Sequence, residues 1–213
     1  MTHATPTGVR EAHVVVPRGP GNTARLSFDN GLERLDLRAR NLAGTLAETD
    51  FADPVPVVWA SGHNVHVEYP LGARLLRRAK PSSVTIDTGV SWSLDVHGGA
   101  AHLTAELADV PVQALSFHSG VVHSRVVLGR PSGRCTIHLS SLKDLRIERP
   151  ADVPVRLEIA KGATKVDLDD QRFGAVGNGL AAQTNGFDSS PDGYLVVVSG
   201  GVDGLTITPG SES

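Results

Sequence analysis

The sequence predicts an all-β fold, a single parallel β-solenoid, and three observations carry that prediction. Short apolar/polar alternations with period 2 recur through the 213 residues, each bounded by Gly, Asn, Asp, Ser or Pro. A unit of strand, small-residue turn and strand repeats in LDVHGGAAHLTAEL (94–107), LSFHSGVVHSRVVL (115–128), IHLSSLKDLRIE (137–148), LEIAKGATKVDL (157–168) and VVVSGGVDGLTI (196–207). The position after the turn falls at Leu103, Ser124, Leu145, Val166 and Leu205, so three steps of 21 residues precede one of 39, close to two repeats. A repeat near 21 residues gives about seven to nine coils.

Residues 1–23 read as an N-terminal segment and cap, in which EAHVVVPRG (11–19) supplies a strand over the first coil and Pro17 with Arg18 blunts its outer side. The solenoid domain spans 24–208. Its first units are LSFDNGLERLDL (26–37) and, more loosely, VVWASGHNVHV (57–67). ARLLRRAKP (73–81) is the one stretch suited to a helix, and Pro81 ends it. SVTID (83–87) and WSLDV (92–96) then lead into the regular repeats.

One coil buries only a thin apolar strip and must stack on its neighbours, which places parallel strands about 4.8 Å apart. The expected inward residues are Leu94, Val96, Leu103, Leu107, Leu115, Phe117, Val126, Leu128, Ile137, Leu139, Leu145, Ile147, Leu157, Ile159, Val166 and Leu168. Gly98, Gly99, Gly120, Gly162, Gly200 and Gly201 fall at the corners, where positive φ and close approach of coils would require them. Cys135 is in phase with Ile137 and Leu139, which predicts a buried, inert thiol. Residues 173–193 stretch the repeat, as an extra coil or as a loop carrying a partner site. Residues 209–213 are a polar tail. The last coil, through Leu195, Val197, Val198, Leu205 and Ile207, is less well covered, which predicts self-association or docking to a partner there, most simply a two-fold homodimer.

WSLDVHGGA (92–100), GRPSG (129–133), ERPADVPVRLEIAKGATKVDLDDQRFGAVG (148–177) and YLVVVSGGVDGLTI (194–207) resemble actinobacterial β-solenoid proteins related to the putative-adhesin domain family. They are more distantly similar to the C-terminal β-solenoid of regulators that respond to cell-wall antibiotics. The likeness covers about residues 24–208. It implies a bacterial β-solenoid and, by analogy, an adhesin-like or regulatory role.

Composition narrows function by exclusion. A net charge of −3 offers no global attraction to nucleic acid or to an anionic membrane. A single cysteine precludes an intramolecular disulfide and a cysteine metal cluster. No run approaches the roughly 20 apolar residues of a membrane span, and the first residues lack a signal-peptide pattern, so a soluble cytoplasmic protein is expected.

Candidate chemistry is sparse. His97 and His118 are 21 residues apart, as are His102 and His123, so each pair shares an outward column and is the best candidate for a weak metal site. Neither column continues with enough ligands, and the expectation is a surface ladder with no metal and no cofactor. HNVHVE (63–68) sets Asn64, His66 and Glu68 on one strand face. Ser140 and Lys143 match S-x-x-K without its helix. Asp167, Asp169 and Asp170 beside Arg172 fit no calcium loop. Arg74, Arg77 and Arg78, with Lys80, form a basic cluster suited to an acidic partner, and with Leu195, Val197 and Thr206 they are the candidate partner contacts. The favoured function is a non-catalytic binding or assembly module. The alternatives are a regulator in envelope-stress signalling and a carbohydrate-active β-helix enzyme.

Overall fold

The computed structural model describes residues 8–70 and 81–210, which contain 17 strands and no helix. The basic cluster Arg74, Arg77, Arg78 and Lys80 lies outside the described residues, as does all of the candidate helix except Pro81. The amino-terminal part forms β1 (His13–Pro17), β2 (Thr23–Asp29), β3 (Leu32–Arg40), β4 (Thr45–Asp50), β5 (Val57–Ser61), β6 (Asn64–Glu68) and β7 (Ser82–Asp87). The regular repeats form β8 (Ser91–Val96), β9 (Ala100–Leu107), the long strands β10 (Val112–Leu128) and β11 (Arg134–Arg149), β12 (Val155–Ile159) and β13 (Ala163–Leu168). β14 (Gln171–Val176), β15 (Leu180–Gln183), β16 (Gly193–Val198) and β17 (Val202–Pro209) follow.

These strands stack in two columns. The first runs β5, β6, β2, β8, the first halves of β10 and β11, β16, β12 and β15. The second runs β1, β4, β7, β3, β9, the second halves of β10 and β11, β17, β13 and β14. Pairing is parallel from β6 to β12 and from β7 to β13, and antiparallel at both ends of both columns. β10 and β11 pass through both columns and join them into one mixed sheet.

All 16 expected inward residues are buried, and they belong to one continuous apolar cluster. Alternation places them there. On each half-strand every second side chain points inward, and only an apolar residue can occupy that position without an unpaired polar group. Ser124 is the exception in its column. Its hydroxyl accepts from Leu103 N at 3.2 Å and donates to Val122 O at 3.0 Å, so it is satisfied within the core.

The order of the strands departs from a coil stack in chain order. β2 and β3 sit between the later pairs β6/β7 and β8/β9, and β16 and β17 insert between β11 and the earlier pair β12/β13. The C-terminal strands are therefore interior, with both backbone edges paired, and the expectation of an uncovered final coil is corrected. Residues 173–193 are neither an added parallel coil nor simply a loop, since β14 and β15 pair antiparallel with β13 and β12 and cover that end. The unit at 57–67 is likewise an antiparallel hairpin, β5–β6. β1 forms where EAHVVVPRG predicts a strand, but it pairs with β4. Arg18 then reaches the buried Asp87 at 2.8 Å and the carbonyl of Gly89 at 2.9 Å, which pins the cap to β7.

The corners are not made as the glycines suggested. None of Gly98, Gly99, Gly120, Gly162, Gly200 and Gly201 has positive φ. Close approach does hold at Gly98, where a Cβ would collide with the backbone of Gly31, and at Gly200, where it would collide with Ser140 O. A left-handed conformation recurs instead down one in-register column: Arg34 (52°), His102 (54°), His123 (48°), Asp144 (52°), Gly204 (85°) and Lys165 (53°). Each is a one-residue kink, made on every strand without a change of register, that sets two successive residues outward between inward positions such as Ala100 and Leu103. Repetition at every level keeps neighbouring strands in phase.

Candidate functional site

The outer face of the first column is an ordered surface that nine strands build, and it carries Asn64, His66 and Glu68 with His97 and His118 at its margin. Nine strands contribute to it, so at about 4.8 Å per strand it extends roughly 38 Å. Register sets its side chains in rows. One row runs Trp59, His66, Ser27, Asp95, Ser116, His138, Val197, Glu158 and Ala181, and another runs Ser61, Asn64, Arg25, Ser93, Ala114, Thr136, Leu195, Arg156 and Gln183.

Contacts along these rows are short and mostly between side chains. The Trp59 and His66 rings stack with centroids 3.7 Å apart and planes 5° from parallel, and His66 Nδ1 lies 3.7 Å from Asp29 Oδ2. Asp95 sits between Arg25 Nε at 3.4 Å and His118 Nε2 at 3.6 Å. His97 stacks on His118 with centroids 4.7 Å apart and a 7° interplanar angle. His102 and His123 stack at 5.5 Å and 22° on the left-handed column, with His123 Nδ1 3.0 Å from Asp144 Oδ2. The 21-residue spacing thus does bring each histidine pair together. Imidazole lone pairs lie in the ring plane, so two parallel rings aim them along parallel planes and not onto one ion. Among the described residues no group of three or more His, Cys, Asp or Glu is arranged to hold a metal.

The other candidates are placed as follows. Leu195 and Val197 are half-buried on the outer face of β16, flanked by β11 and β12, and Thr206 is half-buried on β17 between β11 and β13. All three stand on a face, not on an edge. Ser140 and Lys143 lie within the continuous strand β11. Cys135 is buried, and desolvation pushes its thiol pKa up to about 12, which keeps it protonated and unreactive. Asp167 faces Arg172 at 4.0 Å, whereas Asp169 pairs with the buried Arg149.

A second polar group occupies the outer face of the second column. Arg125 on β10 donates to both Glu148 oxygens, at 2.9 and 2.8 Å, and also to Glu106. Hydrogen bonding to Glu148 raises the Arg125 pKa, and the same contact holds the Glu148 carboxyl below its usual range. Arg125 therefore ties β9 and β11 to the strand between them.

No family model matches the chain, and no curated protein matches it in sequence. Among solved structures it is similar to a crystal structure of a putative cell adhesion protein from Clostridium sporogenes ATCC 15579. The TM-score is 0.62 at 12% identity, over 97% of this chain and 100% of that one. At that identity the likeness is one of fold.

Proposed function

We propose that this protein is a β-solenoid binding scaffold, non-catalytic and adhesin-like, that engages an extended partner on the outer face of its first column. One observation carries the reading: side chains from nine strands are held in register on a surface roughly 38 Å long, whose spacing follows from the backbone ladder. A partner that repeats along its length, such as a polymer or an extended chain, gains successive contacts there with little ordering cost to the scaffold. The fold likeness to a protein described as a putative cell adhesion protein supports the same reading.

The test is saturable binding to bacterial envelope preparations by the intact protein and by two outer-face variants. Asp95→Ala with His118→Ala removes the polar contacts at the centre, and Leu195→Lys with Val197→Lys charges the apolar part. Each is expected to weaken binding about tenfold or more, the range for central interface residues, with an unchanged thermal midpoint. Binding indifferent to both variants, or none at all, overturns the reading, and breakdown of a bound polymer would favour the enzyme alternative. Cell fractionation distinguishes the cytoplasmic location expected from sequence from the cell surface that the neighbour's description favours. Among the described residues no helix is long and apolar enough to cross a membrane.

A further inference from the structure

β14 and β15 end the parallel ladders of the two columns, but each presents an outer edge of its own, since among the described residues β14 pairs with β13 alone and β15 with β12 alone. Register shows which backbone groups lie on those edges. Asp169 N donates to Ile207 O on β17, so by alternation Val166 and Leu168 turn their backbone groups toward β14, where they face Phe173 and Gln171. The N–H and C=O of Arg172, between those two, therefore point away from β13. Thr184 N donates to Val155 O, so Leu180 and Ala182 bond to β12, and the N–H and C=O of Ala181 point outward in the same way. Arg172 and Ala181 are both exposed.

Open edges are ordinarily guarded by charge or proline. The opposite end of the stack is guarded: β1 carries Pro17 and His13, the latter 3.3 Å from Asp50, with Arg10 and Glu11 just before it. The run FGAVGNGLAAQ (173–183), which makes most of β14 and all of β15, contains no charged residue, histidine or proline. The core is also unfinished at this end. Phe173, Val176, Leu180 and Ala182 pack against the apolar cluster but are only half-buried, and they are four of the seven such residues among those described, so the shortfall in cover is concentrated here. A strand laid along either edge would bury them further.

These features select the occupant. The two edges belong to one end and share one core, so an occupant that meets both must itself present two strand edges with apolar residues between them, whereas a single extended peptide covers one column and leaves the other. The same end of a second copy presents that pair. Two-fold pairing of like edges is antiparallel, and the uncharged run sets no like charges against each other, while Arg172 at its margin faces Asp167 of its own copy at 4.0 Å. We propose that two copies of this chain associate end to end through β14 and β15 about a two-fold axis, which continues both columns and the core from one copy into the other. The inference holds whether or not the outer face binds a partner. Strands of 6 and 4 residues at about 3.3 Å each make a contact below the standard interface size, which sets the dissociation constant in the range of about 10–100 µM.

Sedimentation velocity between about 2 and 500 µM tests this, with residue-resolved hydrogen exchange at both ends of that range. The expected result is a shift from monomer to dimer as concentration rises, with exchange at the Arg172 and Ala181 amides at least about tenfold slower in the dimer than in the single copy. Gly174→Lys with Ala181→Lys sets like charges across the two-fold at exposed positions, and a Cβ on Gly174 meets no atom within 4 Å. This variant is expected to stay monomeric throughout, with the unfolding midpoint of the parent at low concentration. Val15→Lys, on the exposed face of β1 at the opposite end, is expected to leave association unchanged. A strict monomer at the highest concentration, exchange at Arg172 and Ala181 that is indifferent to concentration, association lost with Val15→Lys but not with the lysine pair, or growth beyond two copies overturns the proposal.

Discussion

A left-handed backbone is adopted freely by glycine and at a cost by any residue with a Cβ, yet five of the six positions in the left-handed column are not glycine. Asp144 and the two histidines belong to types that tolerate the region better than most, whereas Arg34 and Lys165 are held there by the ladders on either side. Gly204 is the residue whose replacement tests the constraint. A Cβ there would lie 2.8 Å from Asp144 Oδ1 and 3.4 Å from Asp144 N, and φ is already 85°. Gly204→Ala is expected to lower stability by about 1–2 kcal/mol. His123→Gly, which relieves the conformation but loses the stack on His102 and the Asp144 contact, should change stability by less than about 1 kcal/mol in either direction. Urea unfolding midpoints of the two variants measure both effects, and an unaffected Gly204→Ala would mean that the column does not enforce its conformation. The sequence held the signal for these kinks. Two successive outward residues between Ala100 and Leu103 break strict alternation, and the same slip recurs at Val121, Leu142, Ala163 and Val202.

Strand faces were legible from sequence because alternation is local: Leu94 through Leu168 are buried as the pattern required, and Val65 and Val67 are buried opposite Asn64, His66 and Glu68. Strand neighbours were not legible. β11 can accept β12/β13 or β16/β17 with the same inward residues, since Leu157 and Val196 are interchangeable apolar occupants of one column, and nothing in a period-2 pattern ranks them. For the same reason the histidine pairs could be placed in shared columns, whereas the polar cleft lined by Arg149, Asp169 and Asn185 could not be assembled. Its Arg149, Asp169 and Asn185 come from three separate strand ends that meet only at that corner. The interior position of β17 has a direct consequence for proline. Thr206 pairs with Arg146 on one side and Asp167 on the other, so a proline ring there must displace a neighbour. Thr206→Pro is expected to destabilise by about 3 kcal/mol or more. Ala175→Pro, on the outermost strand β14 with β13 alone beside it, should cost about 1 kcal/mol. Equal losses in thermal unfolding would contradict the placement of β17.

At the scale of the whole molecule, both ends of the stack follow one plan: an inserted parallel pair lies inside an outer pair, and antiparallel strands close the edge. β5 and β1 with β4 do this at one end, and β15 and β14 at the other. Parallel edges left open would invite pairing with other chains, and antiparallel covers end the ladder with strands of a different pairing pattern. The plan also ties the carboxyl-terminal strands to the centre of the fold, so local stability should follow position in the stack and not position in the chain. Val196, Val198, Leu205 and Ile207 are fully buried on strands flanked on both sides. Their amides are expected to exchange with solvent as slowly as those of Leu115 and Ile137 in β10 and β11. Amides of β14 and β15, which precede them in sequence but have one neighbouring strand each, should exchange at least about 100-fold faster, the contrast between an edge that opens locally and strands that open only with the core. Native-state hydrogen exchange resolved by residue measures this ranking. Protection that declined steadily from β11 to the last strand would show coils added in chain order, and β16 and β17 would then not lie between β11 and the pair β12/β13.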